Sequence, residues 1–342
     1  MSESTAEKLI TSPHTHAHGS VSAVMQQVLF ALIPGILLSI YYFGIGILIH
    51  LLLAIIFALL FESGVLKLRK QIITPVIKDG TAIVTAVLFA LTISPYTPWW
   101  VSFFGMAFAI IVAKHLYGGL GNNPFNPAMA GYIFVLLCFP VQMAYWPDIT
   151  LNESTLSMSQ KAGIIFNGLP QVLDGISGAT PLGHMKVELN QMTMVSEIKT
   201  NPLYGSLGGK AWEWINMAYI AGGIWLLLNK IIRWQIPVAV ISGLFIISFL
   251  FGFIDSDIYP PTLFNLFSGG TMLCAFFIAT DPASSSTSPL GKIIYGAGIG
   301  ILIYIIRTWS SYPDGVAFAV LIMNAMVPLI DYYTRPKVLG EQ

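Results

Sequence analysis

The sequence predicts an all-α polytopic membrane protein of about ten transmembrane helices, arranged as two inverted five-helix halves. Three observations carry this. Hydrophobic residues fill 55% of the 342 positions and charged residues only 9%, against roughly a quarter charged in ordinary soluble domains; the mean hydropathy is +0.75. Apolar runs near the ~20 residues needed to cross a bilayer recur along the whole chain. The two halves also echo each other: Gly80-Thr81 opens a run ending Phe89-Ala90-Leu91-Thr92-Ile93-Ser94-Pro95, and Gly270-Thr271 stands early in one ending Phe277-Ile278-Ala279-Thr280-Asp281-Pro282. An odd number of spans per half requires any such repeat to be inverted, and inverted repeats enclose a site near the midplane lined by discontinuous helices.

Taken in order, residues 1–20 form a polar cytoplasmic tail without the layout of a signal peptide. His14, His16 and His18 alternate in it with no acidic or cysteine partner nearby, so a solvated tail is the expectation. The first membrane half, 21–146, holds spans at Val24 to Tyr42, Gly44 to Leu60, Gly80 to Pro95, Trp99 to Ala113 and Pro127 to Met143. A hydrophilic interval, 147–210, follows. The second half, 211–335, holds Trp214 to Ile232, Pro237 to Phe253, Leu263 to Thr280, Ile293 to Arg307 and Val316 to Tyr332, and 336–342 is a second cytoplasmic tail. The third and eighth spans are short for a straight crossing and are expected to be broken or re-entrant.

Orientation follows from lysine and arginine, which short cytoplasmic loops retain. With the N-terminus inside, the cytoplasmic connections carry Lys67, Arg69, Lys70, Lys78, Lys114, Lys230, Arg233, Lys292, Arg335 and Lys337, and the short outer ones only Arg307. Both termini are then cytoplasmic and the 147–210 interval lies outside. Six tryptophans at span ends, Trp99, Trp100, Trp146, Trp212, Trp214 and Trp309, read as interfacial anchors beside membrane lipid. Zero net charge and the lack of a basic run give no reason to expect nucleic acid as a partner. Two cysteines, Cys138 and Cys274, are too few for an iron–sulfur cluster of the chain's own and read as packing residues.

Polar residues interrupt the apolar pattern in three places. Gly118 to Pro127 brings Asn122, Asn123 and Asn126 to the mouth of the fifth span; Ala279-Thr280-Asp281-Pro282 closes the eighth; Tyr312-Pro313-Asp314-Gly315 precedes the tenth, with Asn324 further along. Non-helical backbone at membrane depth must be buried in protein or line a cavity. Asn122, Asn126, Thr280 and Asp281 are therefore candidate ligand contacts, Asp281 foremost as an intramembrane carboxylate; a helix cap or turn is the alternative reading of each.

Asp174-Gly175-Ile176-Ser177-Gly178-Ala179-Thr180, at the centre of the hydrophilic interval, presents a hydroxyl among small neighbours that leave it accessible. The pattern D-x-x-[ST]-G-A-T resembles the acceptor motif of bacterial flavin transferases, which join the phosphate of flavin mononucleotide (FMN) to threonine. The candidate attachment site is Thr180, with Asp174, Ser177, Gly178 and Ala179 around it. By itself the run also reads as an ordinary turn.

With Gly118 to Met129, Phe276 to Pro282 and Ile306 to Ala319, this motif resembles the D-type membrane subunit of the Rnf ion-translocating electron transport complexes, and the related B-type subunit of the sodium-translocating NADH:quinone reductases. The resemblance covers nearly everything beyond the N-terminal tail. It implies a fold similar to ammonium and urea transporters, FMN esterified to Thr180, and riboflavin held non-covalently between the helices. It further implies a multi-pass protein of the bacterial inner membrane, other Rnf subunits as partners, a flavin transferase during maturation, and electron flow between ferredoxin and NAD coupled to Na+ or H+. No acid, base or nucleophile of the chain is expected to be catalytic, because the redox chemistry belongs to the cofactor. A small-solute transporter or channel explains the spans and the echo equally well, but not residues 174–180.

Overall fold

The computed structural model describes residues 21–119, 121–150, 158–167 and 177–335. Asp174, the two tails with the N-terminal histidines, and Lys337 lie outside them.

The first half begins with α1 (Val21–Phe43) and α2 (Gly46–Leu68), a short α3 (Ile73–Ile77) and α4 (Thr81–Ala90). Next come α5 (Trp99–His115), whose last two turns from Phe108 are π-helical, α6 (Pro127–Cys138) and a short α7 (Pro140–Ala144). The hydrophilic interval contributes strand β1 (Trp146–Pro147), α8 (Met158–Asn167), strand β2 (Ser177–Gly178), α9 (Pro181–Asn190) and α10 (Val195–Ile198). The second half consists of α11 (Lys210–Leu228), α12 (Gln235–Ile254), α13 (Thr262–Phe267), α14 (Thr271–Leu273, continued as a π-helical stretch over Cys274–Ile278), α15 (Pro289–Trp309) and α16 (Val316–Thr334).

Among the described residues five helices, α1, α2, α12, α15 and α16, are long and apolar enough to cross a membrane. At 19 residues α11 is as long as α16 but carries Glu213 and Asn216, and it begins four residues before the expected Trp214 because Glu213 accepts the amides of Leu207 and Gly208 at its entry. Ile231 and Ile232 fall in the connection that follows.

The short third and eighth spans are broken, as expected. α4 has 10 residues, about 15 Å at 1.5 Å per residue, half of a ~30 Å hydrocarbon core. α14 with its π stretch covers only 271–278. A proline follows each within five residues, Pro95 after α4 and Pro282 after the π-helical stretch, where a missing amide bars the helix from continuing regularly.

α1 packs along α11, α2 along α4 and α5, α12 along α15, and α6 touches α16. These contacts are close because small residues sit in them, the usual basis of helix association in lipid. At the α12–α15 crossing a methyl added to Gly300 would run into the Val240 carbonyl. A separate small cluster of Leu182, Met185, Ile198 and Phe264 fastens α9 and α10 over the mouth of the second half.

Candidate functional site

Two cavities lie back to back between the halves. The first, about 420 Å³, is lined by Phe43, Trp146, Thr180, Trp212, Asp314 and the C-terminal end of α4 at Leu91 and Thr92. The second, about 460 Å³, is lined by Thr81, Lys114, Asn123, Phe277, Asp281 and the N-terminal end of α1 at Val21. Both volumes fall within the range of small-molecule sites. Ile278 faces the first cavity and its neighbour Phe277 the second, so the partition there is thin. α1 and α11 alternate between the cavities: Phe43 at the end of α1 and Trp212 near the start of α11 line the first, and Val21 at the start of α1 and Ile231, just past the end of α11, line the second. The two helices therefore run antiparallel.

The Thr180 cavity is built from the acceptor loop upward. β1 and β2 pair antiparallel, Trp146 opposite Gly178 and Pro147 opposite Ser177, which pins the loop to the end of the first half. A Cβ on Gly178 would stand 3.0 Å from the Asp148 side chain, so only glycine passes there without displacement. Ala179 is exposed and Thr180 half-buried. Thr180 caps α9: its Oγ1 accepts the amide of Gly183 at 3.1 Å, and Pro181 occupies the first helical position. Lys186 ties α9 down by donating to the carbonyls of Arg307 (2.8 Å) and Tyr312 (3.2 Å), and burial pushes its pKa below that of an ordinary lysine. Trp146 and Trp212, read from sequence as interfacial anchors, also close a ring cluster with Phe43 at centroid separations of 5.1–5.7 Å.

These residues fit an esterified flavin phosphate. The Thr180 hydroxyl oxygen stands at the N-terminus of a ten-residue helix, where first-turn amides and the helix dipole favour an anion, and the aromatic cluster would offer a flat ring a face to pack against.

At the second cavity Lys114, on the π-helical end of α5, donates to Glu62 Oε1 at 2.6 Å and to Thr81 Oγ1 at 2.9 Å. His115 Nε2 is 3.3 Å from the same carboxylate oxygen, and Glu62 is completely buried. Among the described residues, Glu62 Oε2 and His115 Nδ1 have no hydrogen-bond partner. Asp79 Oδ1 accepts the amide (2.7 Å) and hydroxyl (2.6 Å) of Thr81, holding the start of α4 with Gly80 at φ +79°.

The second half repeats this construction at the other cavity. Asp314 Oδ2 accepts the Gly270 amide at 3.1 Å, next to Gly269 at φ +64°, and Arg307 Nη2 donates to Thr271 Oγ1 at 2.9 Å. Arg307 also reaches Asp314 Oδ1 (3.0 Å) and the carbonyls of Asn265 (2.6 Å) and Ser268 (3.2 Å). A basic side chain on the leading threonine, and a carboxylate on a leading amide, thus mark both half-length helices.

The remaining sequence candidates gather around the second cavity with one exception. Asn126 lines it but is engaged: its Oδ1 caps α6 through the Met129 amide, its Nδ2 donates to the Ile278 carbonyl, and its backbone amide donates to Asn324 Oδ1. Thr280 turns its hydroxyl back to the Phe276 carbonyl, and Asp281 accepts the Ser284 hydroxyl at 2.9 Å while facing the cavity. Asn122 is exposed and does not line it; its buried neighbour Asn123 does. Lys114, taken from sequence only as a topology charge, was missed as a lining residue, and Glu62 just past the expected end of the second span was the available signal.

Fold and cavities together define a multi-pass, all-α membrane protein with two ligand-sized chambers between its halves. The NQR2, RnfD, RnfE family model matches residues 8–340, and this chain belongs to that family. It is 46% identical to the D subunit of the ion-translocating oxidoreductase complex of Aliivibrio salmonicida, over 98% of each chain. The D subunits of the same kind of complex in Escherichia fergusonii (45%, covering 98% of this chain and 99% of the relative) and Vibrio cholerae serotype O1 (46%, 97% and 99%) are similarly near.

Proposed function

We propose that this chain is the D-type subunit of an ion-translocating oxidoreductase complex, carrying FMN on Thr180 through a phosphoester and a second flavin, riboflavin, in the Lys114 cavity. The observation that carries the reading is Thr180 itself: a half-buried hydroxyl at a helix N-terminus, opening into a flavin-sized cavity beside three aromatic rings. The antiparallel α1 and α11 and the matched starts of the two half-length helices support inverted five-helix halves and ten spans. The cationic helix ends near Lys114, with Lys67, Arg69 and Lys230 among them, support a cytoplasmic position for that cavity and both termini, and a periplasmic one for Thr180, in a bacterial inner membrane.

Flavins bound in the two sites supply one- and two-electron chemistry between a ferredoxin-type donor and NAD, coupled to Na+ or H+. The residues of the chain do the rest. Thr180 would tether the covalent group, the helix start of α9 would neutralise phosphate charge, the cluster of Phe43, Trp146 and Trp212 would exclude water, and Asn123 and Asp281 would border a ring in the second cavity. The other subunits exchange electrons with these sites, and a flavin transferase installs the covalent group.

The test is in-gel fluorescence of the denatured protein from cells that express the transferase. A fluorescent band is expected for wild type and Ser177→Ala and none for Thr180→Val. A dark wild-type band overturns the covalent reading; without a bound flavin as well, a solute transporter or a scaffold subunit is what remains.

A further inference from the structure

The two half-length helices are built alike at their starts, but the basic groups upon them differ in what they have left to give. Arg307 spends its guanidinium on Asp314, Thr271 and the carbonyls of Asn265 and Ser268, and it does not line the Thr180 cavity. Lys114 does line its own cavity. An ammonium group has three N–H donors, and Glu62 Oε1 and Thr81 Oγ1 take two. The cavity it faces is otherwise lined largely by apolar groups, among them Val24, Val28, Val84, Leu88 and Phe277, so a charge there is weakly screened and acts strongly on whatever occupies the space.

We infer that Lys114 is the hydrogen-bond donor that orients the ligand of this cavity through a ring carbonyl and raises the ligand's reduction potential, with Glu62 and Thr81 holding the ammonium in position. The inference rests on the proposed second flavin and adds to it a residue and a sign. Reduction by one electron adds one negative charge to the ring and breaks no bond. No proton is transferred in this step, and Lys114 stabilises the added charge through space and through the shared hydrogen. Glu62 works in opposition: its carboxylate partly cancels the ammonium charge, so the pair sets an intermediate potential where Lys114 alone would set a higher one. Lys114 is thus a positioning and tuning residue.

The test uses the full-length chain purified in a Thr180→Val background, so that no covalent flavin contributes. Acid-extracted flavin is quantified, and the midpoint is followed by optical titration with dithionite. Lys114→Met is expected to disfavour one-electron reduction at least tenfold, a fall of about 59 mV, and Lys114→Arg to restore most of it. Glu62→Gln is expected to shift the midpoint upward, an opposite sign that general damage to the cavity would not produce. Unchanged midpoints in both Lys114→Met and Glu62→Gln, with flavin content kept, overturn the inference and leave the second flavin standing. A Thr180→Val chain that yields no extractable flavin overturns the second-flavin reading and this inference together. Should Lys114→Met lose its flavin, Glu62→Gln decides alone: an upward shift supports the role and no shift overturns it.

Discussion

Replacing Arg307 with methionine removes the cation partner of Asp314 and a donor to three oxygens at the start of α14. In the native protein the Arg307 side chain is only 4% exposed and that of Asp314 28%, and the guanidinium also serves Thr271 Oγ1 and the Asn265 and Ser268 carbonyls. Removing one partner of a buried ion pair costs about 3–5 kcal/mol. The partial exposure of Asp314 lets water recover some of this, which places Arg307→Met near the lower end, about 3 kcal/mol. At about 2 °C per kcal/mol for a chain of this size, the thermal midpoint should fall about 6 °C. The assay is a thermal scan with a thiol-reactive fluorogenic dye in a Cys138→Ser background, where the fully buried Cys274, itself on the π-helical stretch after α14, becomes the reporter. Adding Asp314→Asn removes the stranded charge while keeping an oxygen for the Gly270 amide, so the double variant should recover part of the loss. An unchanged midpoint in Arg307→Met, or a double variant with the two losses simply summed, would refute the assignment of a coupled buried pair.

Three further outcomes are expected. Gly300→Val should push α15 off the Val240 carbonyl of α12 and lower the yield of folded protein in membranes, measured by the monodisperse fraction on size exclusion. Lys186→Met should loosen α9 from the Arg307 and Tyr312 carbonyls and reduce covalent flavin labelling of Thr180 several-fold at fixed transferase level, read by in-gel fluorescence. In the native protein a membrane-permeant maleimide should label Cys138, which is exposed, while Cys274 reacts only after denaturation, as peptide mass spectrometry would report.

Much of this architecture was legible because hydropathy is a local property. The long helices follow directly from apolar runs, and the shortness of Gly80 to Pro95 and Leu263 to Thr280 announced the two broken helices. Thr180 stands out as a candidate in the sequence because its motif is contiguous. What escaped was set by distance along the chain. Glu62 and Lys114 are 52 residues apart, so the lysine read as a loop charge and the second span seemed to stop at Leu60. With its carboxylate neutralised, the helix runs on to Leu68. Arg307 likewise read as a stray outer cation, because Asn265, Ser268 and Thr271 reach it only through folding. Asn122 is exposed and its neighbour Asn123 lines the cavity, a difference of one position in an irregular loop, where no periodicity says which side chain turns inward.

The hydrogen bond from the Asn126 amide to Asn324 has a consequence for biosynthesis. The two residues are 198 positions apart, and ribosomes elongate at about 5–20 residues per second, so the start of α6 waits about 10–40 s after its own synthesis for its partner. During that interval the amide needs a temporary acceptor, water or a component of the insertion machinery. Shortening the chain before its last helix should leave the nascent protein open at this seam and exposed to membrane proteases.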